Sequence, residues 1–169
     1  LMKSGKYEET SFALILISIV KEKLVSKDFQ RLESWFETGI ANWAHADYLG
    51  MFLLPELMKQ GVADIQSFSG WIISPYKFQR RSVPVTFIKL LKTGISFGEL
   101  FTFLEPLMLD PAREVHQGMG WFLREAWKIK PEETEAFLLK WKDTAPRLIF
   151  QYACEKMKPE EKLRFRKAK

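Results

Sequence analysis

Gly, Pro and Asp residues punctuate this chain at short intervals, and the stretches between them carry helical rather than alternating periodicity. That pattern limits the fold more than any other feature. Glu8 to Leu24 reads as a helix apolar on most of its faces, hence largely buried. Ser26 and Asp28 are placed to cap the next helix, whose core residues should be Leu32, Trp35 and Phe36 before Gly39 ends it. Asn42 caps a helix carrying Trp43 and Asp47, which Pro55 should kink or end. Gly61 separates it from a helix expected over Asp64 to Ile73. Ser74-Pro75 breaks the pattern; Tyr76 to Lys92 resumes it with a kink at Pro84, and Gly94 closes it. Ser96 to Leu109 follows, with Pro106 inside it. Asp110-Pro111 pairs an N-cap with a proline at the first helical position and opens a helix to about Lys128. Pro131-Glu132-Glu133 starts another, with acids at the positive end of the helix dipole. Pro146 to Met157 and a basic tail, Pro159 to Lys169, complete the chain.

Nothing reads as a strand. Eight or nine helices of about 12 to 18 residues joined by short turns give an all-α array. Their proline kinks and the spacing of the motifs below favour an α-solenoid of HEAT-like hairpins over a four-helix bundle.

Composition removes several classes of function. At 169 residues the chain is expected to be one domain with a real core, and 47% apolar residues is an ordinary globular share. No apolar run approaches the roughly 20 residues that span a bilayer, and no secretory signal is read at the start. Cys154 is the only cysteine, which excludes an internal disulfide framework and fits a reducing cytoplasm. With two histidines beside it, no zinc site is expected, and no cofactor. The balance of 26 Lys plus Arg against 21 Asp plus Glu permits nucleic-acid binding without requiring it.

Residues with chemical potential recur. Trp43 and Asp47 share one helical face, one turn apart. Gln79-Arg80-Arg81 follows at roughly one HEAT-repeat length, and Gly120-Trp121-Phe122-Leu123-Arg124-Glu125 at roughly one more. In a solenoid, residues spaced by whole repeats align along one surface. On the helix opened by Asp110, Val115, Met119, Phe122, Ala126 and Ile129 form the core stripe. Trp121 lies about 100° away from that stripe, beside Gln117, Arg124 and Lys128. Gly118 and Gly120 cost helix propensity there, which implies close approach by a neighbour or a ligand. Taken singly, each feature has a plain alternative. Trp43 could be core and Asp47 a dipole-complementing acid; Arg80-Arg81 could be a solvated pair; Trp121 could pack on a neighbouring repeat. His45 and His116 are expected at partly exposed sites without a catalytic role.

Taken together, Trp-x-x-x-Asp, Arg-Arg after Ser-Pro-Tyr-Lys, and Gly-Trp-Phe-Leu-Arg-Glu resemble the AlkD-like family of HEAT-repeat DNA alkylation repair glycosylases. The likeness runs from Leu1–Leu24 to Tyr152-Ala153-Cys154-Glu155-Lys156. It implies one right-handed α-solenoid domain over residues 1–169, with a concave basic face, lacking helices that the family places earlier. It also implies hydrolysis of the N-glycosidic bond of cationic N3- or N7-alkylpurines in duplex DNA. Asp47, Trp43, Arg81 and Trp121 match the family's catalytic and DNA-facing positions, and Arg124 a neighbouring contact position. Arg80, Arg81, Gln117, Arg124 and Lys128 are then the expected DNA-binding set, with Arg81 on a phosphate. Ala44 stands where the family often has an acid. The resemblance further implies a monomer in the cytoplasm, acting on double-stranded DNA with no cofactor and no membrane. A DNA-binding relative without glycosylase activity and a protein-interaction scaffold are the alternative readings.

Overall fold

A computed structural model describes residues 1–167, and among them every regular element is helical. The α-helices are α1 (Tyr7–Ile19), α2 (Ser26–Thr38), α3 (Trp43–Tyr48), α4 (Leu54–Lys59), α5 (Lys77–Phe87), α6 (Phe97–Leu104), α7 (Arg113–Trp127), α8 (Pro131–Trp141), α9 (Arg147–Ala153) and α10 (Pro159–Lys162). Alternate elements form one row, in which α1 packs on α3, α3 on α5, α5 on α7 and α7 on α9. The intervening helices form a second row, where α6 meets α8 much more sparsely. Asp47 meets Arg81, and three residues on Gly50 faces Ser82, Val85 and Thr86, so α3 with its continuation and α5 run parallel and in register. Alternation of this kind is the signature of stacked helical hairpins.

Proline shapes the row without breaking it. Pro55 lacks an N–H and its ring crowds the carbonyl four residues back. The chain absorbs this by widening into a π-turn at Leu49–Leu53 and continues directly as α4, so Pro55 does not end the helical run. After Pro84, α5 runs on to Phe87 and tightens into a 3₁₀ segment, Ile88–Lys92. The core lies between the rows: Trp71 stacks on Phe29 and meets Phe36 and Phe68 edge-on, and Phe68 meets Phe87. Such offset and edge contacts suit the ring quadrupoles.

Four expectations need correction. The helix expected from Glu8 to Leu24 stops at Ile19, and it is far from buried: Phe12 is 62% exposed and Ile19 74%. Its inward stripe is instead partly polar, with Ser11 bonded to His45 and Ser18 to Tyr48. No α-helix forms over Asp64–Ile73. There Asp64 accepts from the Ser67 amide and hydroxyl, at 2.8 and 2.7 Å, and only a 3₁₀ turn at Gln66–Phe68 results. Local side-chain bonds of this type compete with helix propagation. The helix after Asp110-Pro111 begins only at Arg113. Asp110 accepts from the Ala112 amide at 2.7 Å, closing a turn that sets Pro111 outside the helix. Of the α7 stripe, Val115, Met119, Phe122 and Ala126 are buried, while Ile129 lies past the helix end and is exposed.

Candidate active site

The site grows from the N-terminus of α3. Asn42 accepts the His45 amide at 2.9 Å through its side-chain oxygen, the expected cap. This fixes Trp43 as the first helical residue, 61% exposed, and Asp47 one turn on. Asp47 meets Arg81 of α5 through two parallel bonds, Arg81 Nε to Oδ1 and Nη2 to Oδ2, both 2.8 Å. The third guanidinium nitrogen, Nη1, donates to the Glu114 carbonyl of α7 at 2.7 Å. One buried arginine thereby ties three consecutive helices of the row to one carboxylate. A planar fork can do this; an ammonium cannot.

Space for that arginine comes from Gly118. A Cβ there would stand 3.2 Å from both Arg81 Cγ and the Arg81 carbonyl oxygen. Two residues on, a Cβ at Gly120 would meet Tyr152 Cβ at 2.5 Å and the Ile149 carbonyl at 2.7 Å. Both glycines serve close approach of helices, one by α5 and the other by α9.

Beyond them, Gln117, Trp121, Arg124 and Lys128 lie on one face of α7, as the helical wheel requires. Gln117 donates to the Tyr152 hydroxyl of α9 at 3.0 Å, and Trp121 is half-buried one turn later. This face is charge-compensated. Arg124 pairs with Glu125 at 3.1 Å and with Glu155, and Lys128 with Glu125 at 2.7 Å. Burial would raise the Glu125 carboxyl, but its bonds to Lys128 and Arg124 outweigh this and hold it below the ordinary value. Lys77, hydrogen-bonded to Glu114, lowers that carboxyl in turn.

Arg80 does not join the others. Its guanidinium is held by Asp110 at 2.5 and 3.2 Å and by the Ser74 carbonyl at 2.6 Å, with 13% of the side chain exposed. It locks the approach to α7. The His116 ring reaches back from the first turn of α7 to the Asp110 carbonyl at 2.5 Å. His45, expected to be partly exposed, is 3% exposed and stacked on Tyr7. Sequence reasoning passed over His45, Tyr152 and Glu155 as site residues. The Asn42-x-x-His45 spacing at a helix start was a usable signal for the first; the other two reach the site only through the packing of α7 on α9. Among the described residues no cluster of three metal-ligating side chains occurs, and no helix is long and apolar enough to cross a membrane.

A row of parallel helices with a carboxylate held by arginine beneath an exposed tryptophan defines an all-helical repeat protein with a polar centre on one face. The chain belongs to the DNA alkylation repair enzyme family, whose model matches residues 1–157. Its function is therefore in DNA alkylation repair, with DNA as partner. Among curated proteins, none matches the chain.

Proposed function

We propose that the protein is a DNA glycosylase that releases cationic N3- or N7-alkylpurines from duplex DNA, with Asp47 as the catalytic carboxylate. The observation that carries this reading is the Asp47–Arg81–Glu114 connection next to the exposed ring of Trp43. A cationic base is already a good leaving group, so no strong general acid is required. What the reaction needs is negative charge beside the deoxyribose as positive charge develops there. Arg81 uses one lone pair on each Asp47 oxygen and leaves the others to accept from an attacking water. In this reading Arg81 acts by fixing Asp47 and not by clamping a phosphate, because each of its three nitrogens already donates within the protein and the side chain is buried. That also answers for Ala44: Asp47 is steadied by α5 rather than by a neighbour on α3. Trp43 and Trp121 pack on the sugar–phosphate backbone and add cation–π attraction to the charged nucleoside. Gln117, Arg124 and Lys128 meet the backbone on the same face, where Glu125 and Glu155 temper the attraction. The glycosidic bond is hydrolysed without the base entering a deep pocket, by a monomer that takes up no cofactor and works on cytoplasmic, nucleoid DNA.

A second reading has support from the same contacts. A buried bidentate pair joining three helices is also what a purely structural ion pair looks like, as in a DNA-binding relative without catalysis. Release of N7-methylguanine or N3-methyladenine from alkylated duplex DNA, above the spontaneous rate, separates the two. Free base in the supernatant supports the glycosylase; binding with no release supports the relative.

A further inference from the structure

Three side chains around α3 remain unused by this mechanism, and they form a single chain of hydrogen bonds. His45 Nδ1 faces the Asn42 amide nitrogen at 2.8 Å, and His45 Nε2 faces the Ser11 hydroxyl at 2.9 Å. Asn42 must present its oxygen to the His45 amide and therefore its NH₂ to the ring, which makes Nδ1 an acceptor. Ser11 donates to the Tyr7 carbonyl at 2.9 Å, so its oxygen accepts from Nε2–H. The network thus admits one neutral tautomer.

We propose that His45 is a positioning residue for the Trp43–Asp47 turn: its neutral ring braces the Asn42 cap with one nitrogen and docks α1 with the other, and protonation releases both. The proposal rests on the reading of that turn as catalytic. A proton added to Nδ1 would point at the donors of Asn42. To relieve this the amide must turn over, and its oxygen then leaves the His45 N–H that it caps. Helix α1 is otherwise held by a narrow apolar seam of Ala13, Leu14 and Ile17, and Ser11 supplies one of its few polar ties.

Charge in the surroundings does not rescue the protonated ring. From α1 it is faced by Tyr7, stacked at 4.5 Å, and by Ser11; Lys6 and Glu9 of that helix pair with each other. From its own helix it is faced by Asn42, while Asp47 is turned to Arg81 of α5. Burial accordingly holds the ring below its ordinary value, with a smaller opposing effect of the Tyr7 carbonyl. The unfolded chain then takes up the proton more readily than the folded one. Stability from this group is fully present above about pH 6.5 and is lost as pH falls toward the lower folded value.

The test is ¹⁵N NMR of the His45 ring with amide hydrogen exchange of the 169-residue chain, titrated from about pH 8 to about pH 5. The expected result is the Nε2–H tautomer at the alkaline end. On acidification the His45 amide should lose about fivefold in protection, beyond the intrinsic pH effect, as a helix loses its cap. His45→Gln, which cannot take the proton, should show no such step. Ser11→Ala should free α1 while leaving the His45 amide protected at the alkaline end, and it serves if His45→Gln folds poorly. An Nδ1–H tautomer, or protection unchanged through protonation of the ring, overturns the proposal. Single-turnover excision by the parent and by His45→Gln, run alongside, should show an acid limb in the parent that the variant lacks; the same limb in both again overturns it. If the parent releases no base at any pH, the glycosylase reading falls, while the NMR arm still decides the role of His45.

Discussion

Replacing Gly120 by alanine tests the packing that sets the α7 face. The added Cβ would stand 2.5 Å from Tyr152 Cβ and 2.7 Å from the Ile149 carbonyl oxygen. Carbon atoms in contact prefer about 3.5–4.0 Å, and neither of these atoms can swing aside by a side-chain rotation. Helices α7 and α9 must therefore part by roughly 1 Å along the most extensive helix–helix contact of the fold. Overpacking of this kind costs about 1–3 kcal/mol, and the Gln117–Tyr152 hydrogen bond at risk is worth about 1 kcal/mol more. Against this, alanine returns about 1 kcal/mol of helix propensity. The net loss is about 2 kcal/mol, or about 4–8 °C in Tm for a chain of this length. Gly98 in α6 is the control, because a Cβ there meets nothing closer than Ser96 Oγ at 3.6 Å. Gly98→Ala should keep the propensity gain and raise Tm. Thermal unfolding followed by circular dichroism measures both. A Gly120→Ala protein as stable as the parent would refute the close approach of α7 and α9.

Other outcomes follow from the same contacts. Gly118→Ala, whose Cβ sits at 3.2 Å from Arg81, should leave Tm nearly unchanged yet slow excision several-fold by nudging Arg81 and with it Asp47; equal rates would disconnect Gly118 from the site. Arg81→Ala should cost about 3 kcal/mol in urea denaturation because it strands a largely buried carboxylate, whereas Arg124→Ala, whose partner Glu155 is half exposed, should cost far less. Burial pushes the Cys154 thiol up to about 11, so a thiol reagent at neutral pH should modify it only as fast as the protein opens; stability should then decline as pH rises from about 9, because the unfolded thiol ionises first.

Much of this was legible in the sequence because the signals are local. Asn42 as a cap, Gly94 as a terminator at φ 87° and the start of α8 at Pro131 each depend on a few neighbouring residues. The two α7 glycines announced close approach through their cost alone. What stayed hidden depends on which helix lies opposite. Arg80 and Arg81 are adjacent in sequence, yet one closes a turn through Asp110 and the other reaches Asp47, and nothing local distinguishes them. The same limit concealed the compensation of Arg124 and Lys128 by Glu125 and Glu155. For α1 the error was of another kind: a helix apolar on all sides reads as buried, but burial needs neighbours on every side, and the described residues cover only one.

The catalytic role of Asp47 is tested most directly by single-turnover excision of N7-methylguanine from alkylated duplex DNA, parent against Asp47→Asn, with affinity for intact DNA measured separately. The substitution keeps the shape and removes the charge. Both proteins must be assayed below their melting transitions, since the change also weakens the pair with Arg81. A carboxylate that acts on the transition state adds little to ground-state binding. Asp47→Asn should therefore lose roughly 10²-fold in rate, with affinity unchanged or slightly tighter as repulsion from phosphates is relieved. Excision by Asp47→Asn at the parent rate would contradict it and leave Asp47 and Arg81 as a structural ion pair.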